Sequence, residues 1–213
     1  MEKNEARQMD SEKLVDFFTE TNTLKQTVRY SSCPKKIWES SAAHSWQVAL
    51  MAPIVAEEFK IKLNVQHAIE IALVHDLAER VLEKDYDSYL LATGVLKEED
   101  KFNSEKKEME RIKNNFNFGD RIYSLWKEYE EGETKEAKFV KALDKLESHF
   151  HILERGSSGD NADDGKHQAT YADKAVKDFP ELKPLLASIK KRLKPILEKQ
   201  GVKWEEKYNY PKY

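Results

Sequence analysis

The stretch VQHAIEIALVHDLAERVL, residues 65–82, is apolar nearly all round and yet contains the pair His75-Asp76. A helix with no polar face belongs in the middle of a bundle, and Asn64 is placed to cap it. An ionised carboxylate in such a position costs several kcal/mol unless it is paired or bound to a metal. Residues 65–82 therefore demand both a helical surround and a partner for Asp76.

The rest of the chain supplies the surround. Seven glycines and six prolines in 213 residues are too few for the turns of a sandwich or barrel, while 35% of residues are charged. Long helices with solvated outer faces fit that composition. The expected fold is all-α, a single-domain helical bundle over residues 1–213.

Asp10 or Ser11 caps a first helix with Leu14, Phe17, Phe18 and Leu24 at helical spacing. Residues 29–39 break the pattern at Cys33-Pro34. A second helix begins near Ser40 or Ser41 and reaches about Phe59, with His44, Val48, Met51 and Val55 on one face and a kink expected at Pro53. Residues 83–100 are polar and irregular and read as a mobile segment. Helices follow over about 101–117, 120–131 and 134–154, the last with a stripe of Phe139, Leu143, Leu146, Phe150 and Leu153. RGSSGDNADDGKH, residues 155–167, reads as a long surface loop. Two more helices, about 168–179 and 181–200, lead to an aromatic tail that either docks or frays.

Net charge is −3 and the isoelectric point is near 6.1, which leaves no basic footprint for a nucleic-acid polymer. A small nucleotide held by a local Arg or a metal stays compatible. The lone Cys33 suits a reducing compartment. No apolar signal core or membrane-length stretch is visible, so a cytoplasmic protein without a membrane partner is expected.

His-Asp alone is a frequent accident in a chain with six histidines. Two other placements add to it. His44 lies on the inner face of the second helix, and Asp144 stands between Leu143 and Leu146 rather than in a charge run. Two imidazole nitrogens and two carboxylate oxygens fill four positions of an octahedral site, leaving two for water and a substrate oxygen. Imidazole ligation favours one divalent transition metal, Mn, Fe, Co, Ni or Zn, over Mg or Ca. The plainer alternatives are a core histidine at 44 and an Asp144–Lys pair.

The order His44 … His75-Asp76 … Asp144 resembles the HD-domain superfamily of metal-dependent phosphohydrolases. ESSAAHSWQVALMA (39–52), ALVHDLAERVLEKDYDS (72–88) and FVKALDKLESHF (139–150) resemble its 5′-deoxynucleotidase-like branch, across about residues 14–155. The resemblance implies metal ligation by His44, His75, Asp76 and Asp144, and hydrolysis of a nucleoside (deoxy)5′-monophosphate to nucleoside and phosphate. Glu79 stands where the family has a glutamate that positions water or protonates the leaving 5′-oxygen. Arg29, with Tyr30, stands where the branch directs an arginine at substrate, and Asp85 keeps the acid of the turn after the His-Asp helix. A homodimer is also implied. Ala43 replaces the usual acid before the first His, and Lys84 replaces a glycine in the turn. The alternatives are phosphodiester cleavage, triphosphate release, or a helical adaptor with a structural metal. His149 and His151 read as surface residues or as supports of the metal ligands, with a second metal as the alternative. His67 and His167 receive no role.

Overall fold

A computed structural model describes residues 10–29, 38–82, 86–157, 159 and 161–209. Cys33-Pro34 and the Lys84 position lie outside them. Among the described residues the order is α1 (Ser11–Thr21), a short antiparallel pair β1 (Val28–Arg29) and β2 (Glu39–Ser40), α2 (Ser41–Glu58), α3 (Val65–Val74), α4 (Ser88–Ala92), α5 (Glu98–Asn115), α6 (Gly119–Glu131), α7 (Lys135–Arg155), α8 (Ala162–Thr170), α9 (Asp173–Val176) and α10 (Lys183–Lys199). The all-α expectation holds, with two residues per strand as the only sheet among the described residues. No helix among them is long and apolar enough to cross a membrane.

The helix starts follow the local chemistry. Asp10, Ser40, Asn64, Asp87, Thr134 and Asn161 each accept a backbone N–H of the first turn with a side-chain oxygen. Gly132 closes α6 in the left-handed conformation, φ 62°, which costs glycine nothing. α2 runs through Pro53 to Glu58 and buries His44, Val48, Met51 and Val55. It packs on α3, and both pack on α7, whose Phe139, Val140, Leu143 and Leu146 are fully enclosed. Buried apolar residues from Phe17 to Tyr208 form one hydrophobic core.

Several boundaries differ from the sequence reading. The apolar helix stops at Val74, and a 3₁₀ turn over Leu77–Val81 replaces its second half. His75-Asp76 therefore stands at a helix end rather than within a helix. Phe18 is 63% exposed, and the outer α7 stripe residues Phe150 and Leu153 are only half-buried. Residues 162–167 belong to α8, not to a loop, because Asn161 caps them and Gly165 lets the chain after α10 press close: a Cβ there would lie 2.4 Å from Val202. The tail docks through Tyr208, which is buried.

Burial governs His149 of α7, whose Nε2 meets the Gln168 carbonyl of α8 at 2.8 Å. Loss of water pushes this imidazole from 6.5 down to about 4. The native state thus binds fewer protons than the unfolded chain between those values, and stability falls as pH drops through that window. Denaturant unfolding between pH 4 and 6.5 is expected to show a slope of up to ~1.4 kcal/mol per pH unit from this group. His149→Gln, which keeps a donor for the carbonyl, should flatten that slope. An unchanged slope would remove His149 as its source.

Candidate metal centre

α2 begins so that His44 lies one turn in and faces the core with no exposure at all. The end of α3 does the next part. Neighbouring side chains on an α-helix diverge by about 100°, so two consecutive ligands need a break. Asp76 provides it by leaving helical geometry at φ −103°, ψ 11°. His75 and Asp76 then aim at one point, with Nε2 and Oδ2 3.3 Å apart. α7 brings Asp144 from its middle and Glu147 one turn later, both buried.

The four sequence-nominated residues meet. His44 Nε2 lies 3.3 Å from His75 Nε2, 3.6 Å from Asp76 Oδ2 and 3.2 Å from Asp144 Oδ1. Each imidazole is already fixed at its other nitrogen. His75 Nδ1 donates to the Ala72 carbonyl at 2.7 Å, which turns Nε2 toward the cluster. His44 Nδ1 hydrogen-bonds Glu147. Asp144 Oδ2 accepts from Tyr129 Oη at 2.8 Å and pairs with Lys145 at 3.0 Å. The Asp144–Lys pair anticipated as a plain alternative thus exists, on the oxygen turned away from His44. Two inward nitrogen lone pairs and two carboxylates, oriented from behind, are a donor set for a divalent transition metal.

The charges agree. Burial works against ionised Asp76, yet His75, Arg29 and His44 hold it well below the usual carboxylate range. Burial also opposes Asp144, and Lys145 with His44 holds it low. His44 loses solvation and faces Arg29, both lowering; Asp144, Glu147 and Asp76 outweigh them and lift it to about 9. Its proton and a cation compete for one lone pair.

Around this centre lies a cavity of about 340 Å³ lined by Arg29, Glu79, Lys101, Tyr129 and Lys145 among others. Arg29 reaches Asp76 Oδ2 at 2.8 Å. Glu79 Oε2 accepts from Ser41 Oγ at 2.7 Å, and its Oε1 faces Lys101 Nζ at 3.5 Å. Tyr30 and Asp85 lie outside the described residues. Ala43 is exposed on α2, so the missing acid removes nothing from the cluster.

Three expectations change. His149 and His151 are buried, not on the surface: His149 ties α7 to α8, and His151 Nδ1 lies 3.9 Å from Glu39 Oε1. His167 sits on α8 and lines the cavity. Sequence reasoning also missed Glu39, 4.0 Å from His44 Nδ1, together with Ser41, Lys101, Tyr129 and Lys145. Burial and the nearby Glu147 push Glu39 up to about 7, against the pull of Arg29 and His44. Its place just before a capped helix carrying a buried His was the available signal.

The family model described as HD domain matches residues 21–184. A 5′-deoxynucleotidase HDDC2 of Xenopus laevis is 38% identical over 118 residues, 54% of this chain and 55% of that protein. Its Homo sapiens counterpart is 34% identical over 111 residues, 51% of this chain and 50% of that one. The chain spans about half the length of these curated relatives. Among solved structures, a Pyrococcus horikoshii OT3 protein aligns with TM-score 0.67 at 24% identity, covering 84% of this chain and 99% of its own. A predicted metal-dependent phosphohydrolase of Magnetospirillum magnetotacticum MS-1 gives 0.65 at 23%, covering 88% and 92%. These two show the fold.

Metal uptake at pH 7 should release about one proton per ion, the one His44 holds. Calorimetry in buffers of different ionisation enthalpy measures it. Uptake with no proton release would contradict the assigned protonation of His44.

Proposed function

We propose that this chain, which belongs to the HD domain family, is a metal-dependent phosphomonoesterase that converts nucleoside (deoxy)5′-monophosphates to nucleoside and phosphate. One observation carries the reading: His44, His75, Asp76 and Asp144 converge at the wall of a cavity that also presents Arg29, Lys101 and Lys145. The 5′-deoxynucleotidase relatives support the substrate class.

A Mn, Fe, Co, Ni or Zn ion bound by the four residues would supply Lewis-acid chemistry and a nucleophilic water at neutral pH. The chain's own groups do the rest. Arg29 brings a planar fork suited to phosphate to the cavity edge, already oriented through Asp76. Lys101 and Lys145 add positive charge at the same wall, which favours a dianion in a protein of net charge −3. Glu79 faces the cavity with one oxygen held by the Ser41 hydroxyl. That bond fixes the carboxylate for orienting a water or passing a proton to the leaving 5′-oxygen.

The reading includes a cytoplasmic homodimer. Trp46, Leu50 and Ile54 lie one turn apart on the outer face of α2 and are 62%, 45% and 57% exposed. A stripe of that kind marks an association surface, and a reducing cytoplasm suits the single cysteine.

Phosphate release from a nucleotide panel, with protein stripped of metal and reloaded ion by ion, tests the assignment. Activity indifferent to chelation, or tripolyphosphate from triphosphates in place of phosphate from monophosphates, would replace it. Asp76→Ala should lose metal and turnover together. Glu79→Gln should keep its metal and lose about 10²–10⁴-fold in kcat; full metal content in the Asp76 variant would refute the ligand set. Trp46→Glu should shift sedimentation from dimer to monomer, and a wild-type monomer would remove the dimer from the account.

A further inference from the structure

The cavity beside the metal centre has two chemically unlike ends. Toward α5 and α6 its lining carries Glu98, Glu105 and Glu130 around Lys101. Burial pushes Glu105 up to about 8, against the pull of Lys101. Toward α7 and α8 the lining carries Ile152, His167 and Tyr171, with Leu91 of α4, together with the carboxylates Asp87 and Asp164. The first end is carboxylate-rich and poorly suited to a flat, largely apolar group. The second offers rings and aliphatic surface.

The second end also has length and order. Asp144, Ser148 and Ile152 line the cavity at successive turns of α7. Eight residues at 1.5 Å rise span about 12 Å, room for a phosphate, a sugar and a base in line. The end of α8 and the residue after it meet this floor: Lys145 Nζ stands 4.8 Å from the Tyr171 ring, and His149 bonds the Gln168 carbonyl. The His167 and Tyr171 rings are 5.3 Å apart, and Tyr89 of α4 backs His167 at 5.9 Å. Ser88 Oγ lies 3.2 Å from His167 Nε2 and fixes the ring. Lys145 links the two regions, touching Asp144 at 3.0 Å and the Tyr171 face.

We propose that Tyr171 and His167, buttressed by Tyr89 and Lys145, seat the nucleobase of the substrate and make the enzyme prefer nucleotides over base-free sugar phosphates. This rests on the phosphomonoesterase reading and assigns its specificity to α8. With phosphate at the Asp144 end, the sugar and base lie against Tyr171, level with Lys145, and against His167 one turn earlier in the chain. Burial and the nearby Lys145 lower the His167 pKa, against the pull of Asp87. Stacking on aromatic rings tolerates any base, so the seat selects for having a base more than for which one.

The test compares kcat/KM for a deoxynucleoside 5′-monophosphate with that for deoxyribose 5-phosphate, as one ratio. In the wild type the ratio should favour the nucleotide. Tyr171→Leu should lower it by about tenfold, mainly through KM, and Tyr171→Phe should restore it. His167→Ala, at a half-buried position, provides a second reading of the same ratio should Tyr171→Leu fold poorly. Ratios unchanged in both variants would overturn the seat. A wild type that hydrolyses both esters equally would overturn it too while leaving the phosphomonoesterase reading intact. Release of phosphate from neither ester would overturn both.

Discussion

Two imidazole nitrogens 3.3 Å apart in a closed core, each ring pinned at its far nitrogen, are the contact on which the rest of this structure depends. Two lone pairs facing each other repel unless something positive lies between or beside them. Here that role falls to a proton on His44 or to a metal ion. Asp76 and Asp144 carry the matching negative charge, and neither would remain ionised at such burial without His44, His75, Arg29 and Lys145. The cluster is a set of charges that no member could carry alone.

The helices around it serve that balance. α2, α3 and α7 pack mutually through small and branched residues such as Ala52, Ala68, Ala72, Val140 and Leu143, all fully buried. Close packing of this kind holds side chains in single rotamers, which keeps three helices' donors in register. Tyr129 from α6 adds a bond to Asp144 and lies tilted against His75, ring centroids 4.9 Å apart. The same burial that fixes the donors raises Glu39 and Glu105 and lowers His149 and His167. The cluster and its surroundings are thus one electrostatic unit.

Much of this was legible in the chain. The apolar run 65–82 demanded a buried helix, and an Asp within it demanded a partner. His44 and Asp144 were readable because each stands in apolar company at helical spacing. The stop at Val74 was not readable: propensity and periodicity continue through Arg80, and only tertiary packing decides that Asp76 leaves the helix. Ser41, Lys101 and Tyr129 were hidden for another reason. Their partners lie between 15 and 38 residues away in the contacts Tyr129–Asp144, Lys101–Glu79 and Ser41–Glu79, and local pattern carries no trace of such pairings. His167 was misread with its segment, because a run rich in Asp, Gly and Asn looks like loop until Asn161 is recognised as a cap.

The proposed function rests on one transition-metal ion being held between His44, His75, Asp76 and Asp144. Anomalous diffraction from a cobalt-loaded crystal measures it most directly. One peak per chain is expected, within bonding distance of both Nε2 atoms and of an oxygen from each carboxylate, at about 2.0–2.2 Å. A peak on the far side of His44, between Glu39 and Glu147, or no peak at all in the cluster, would contradict it.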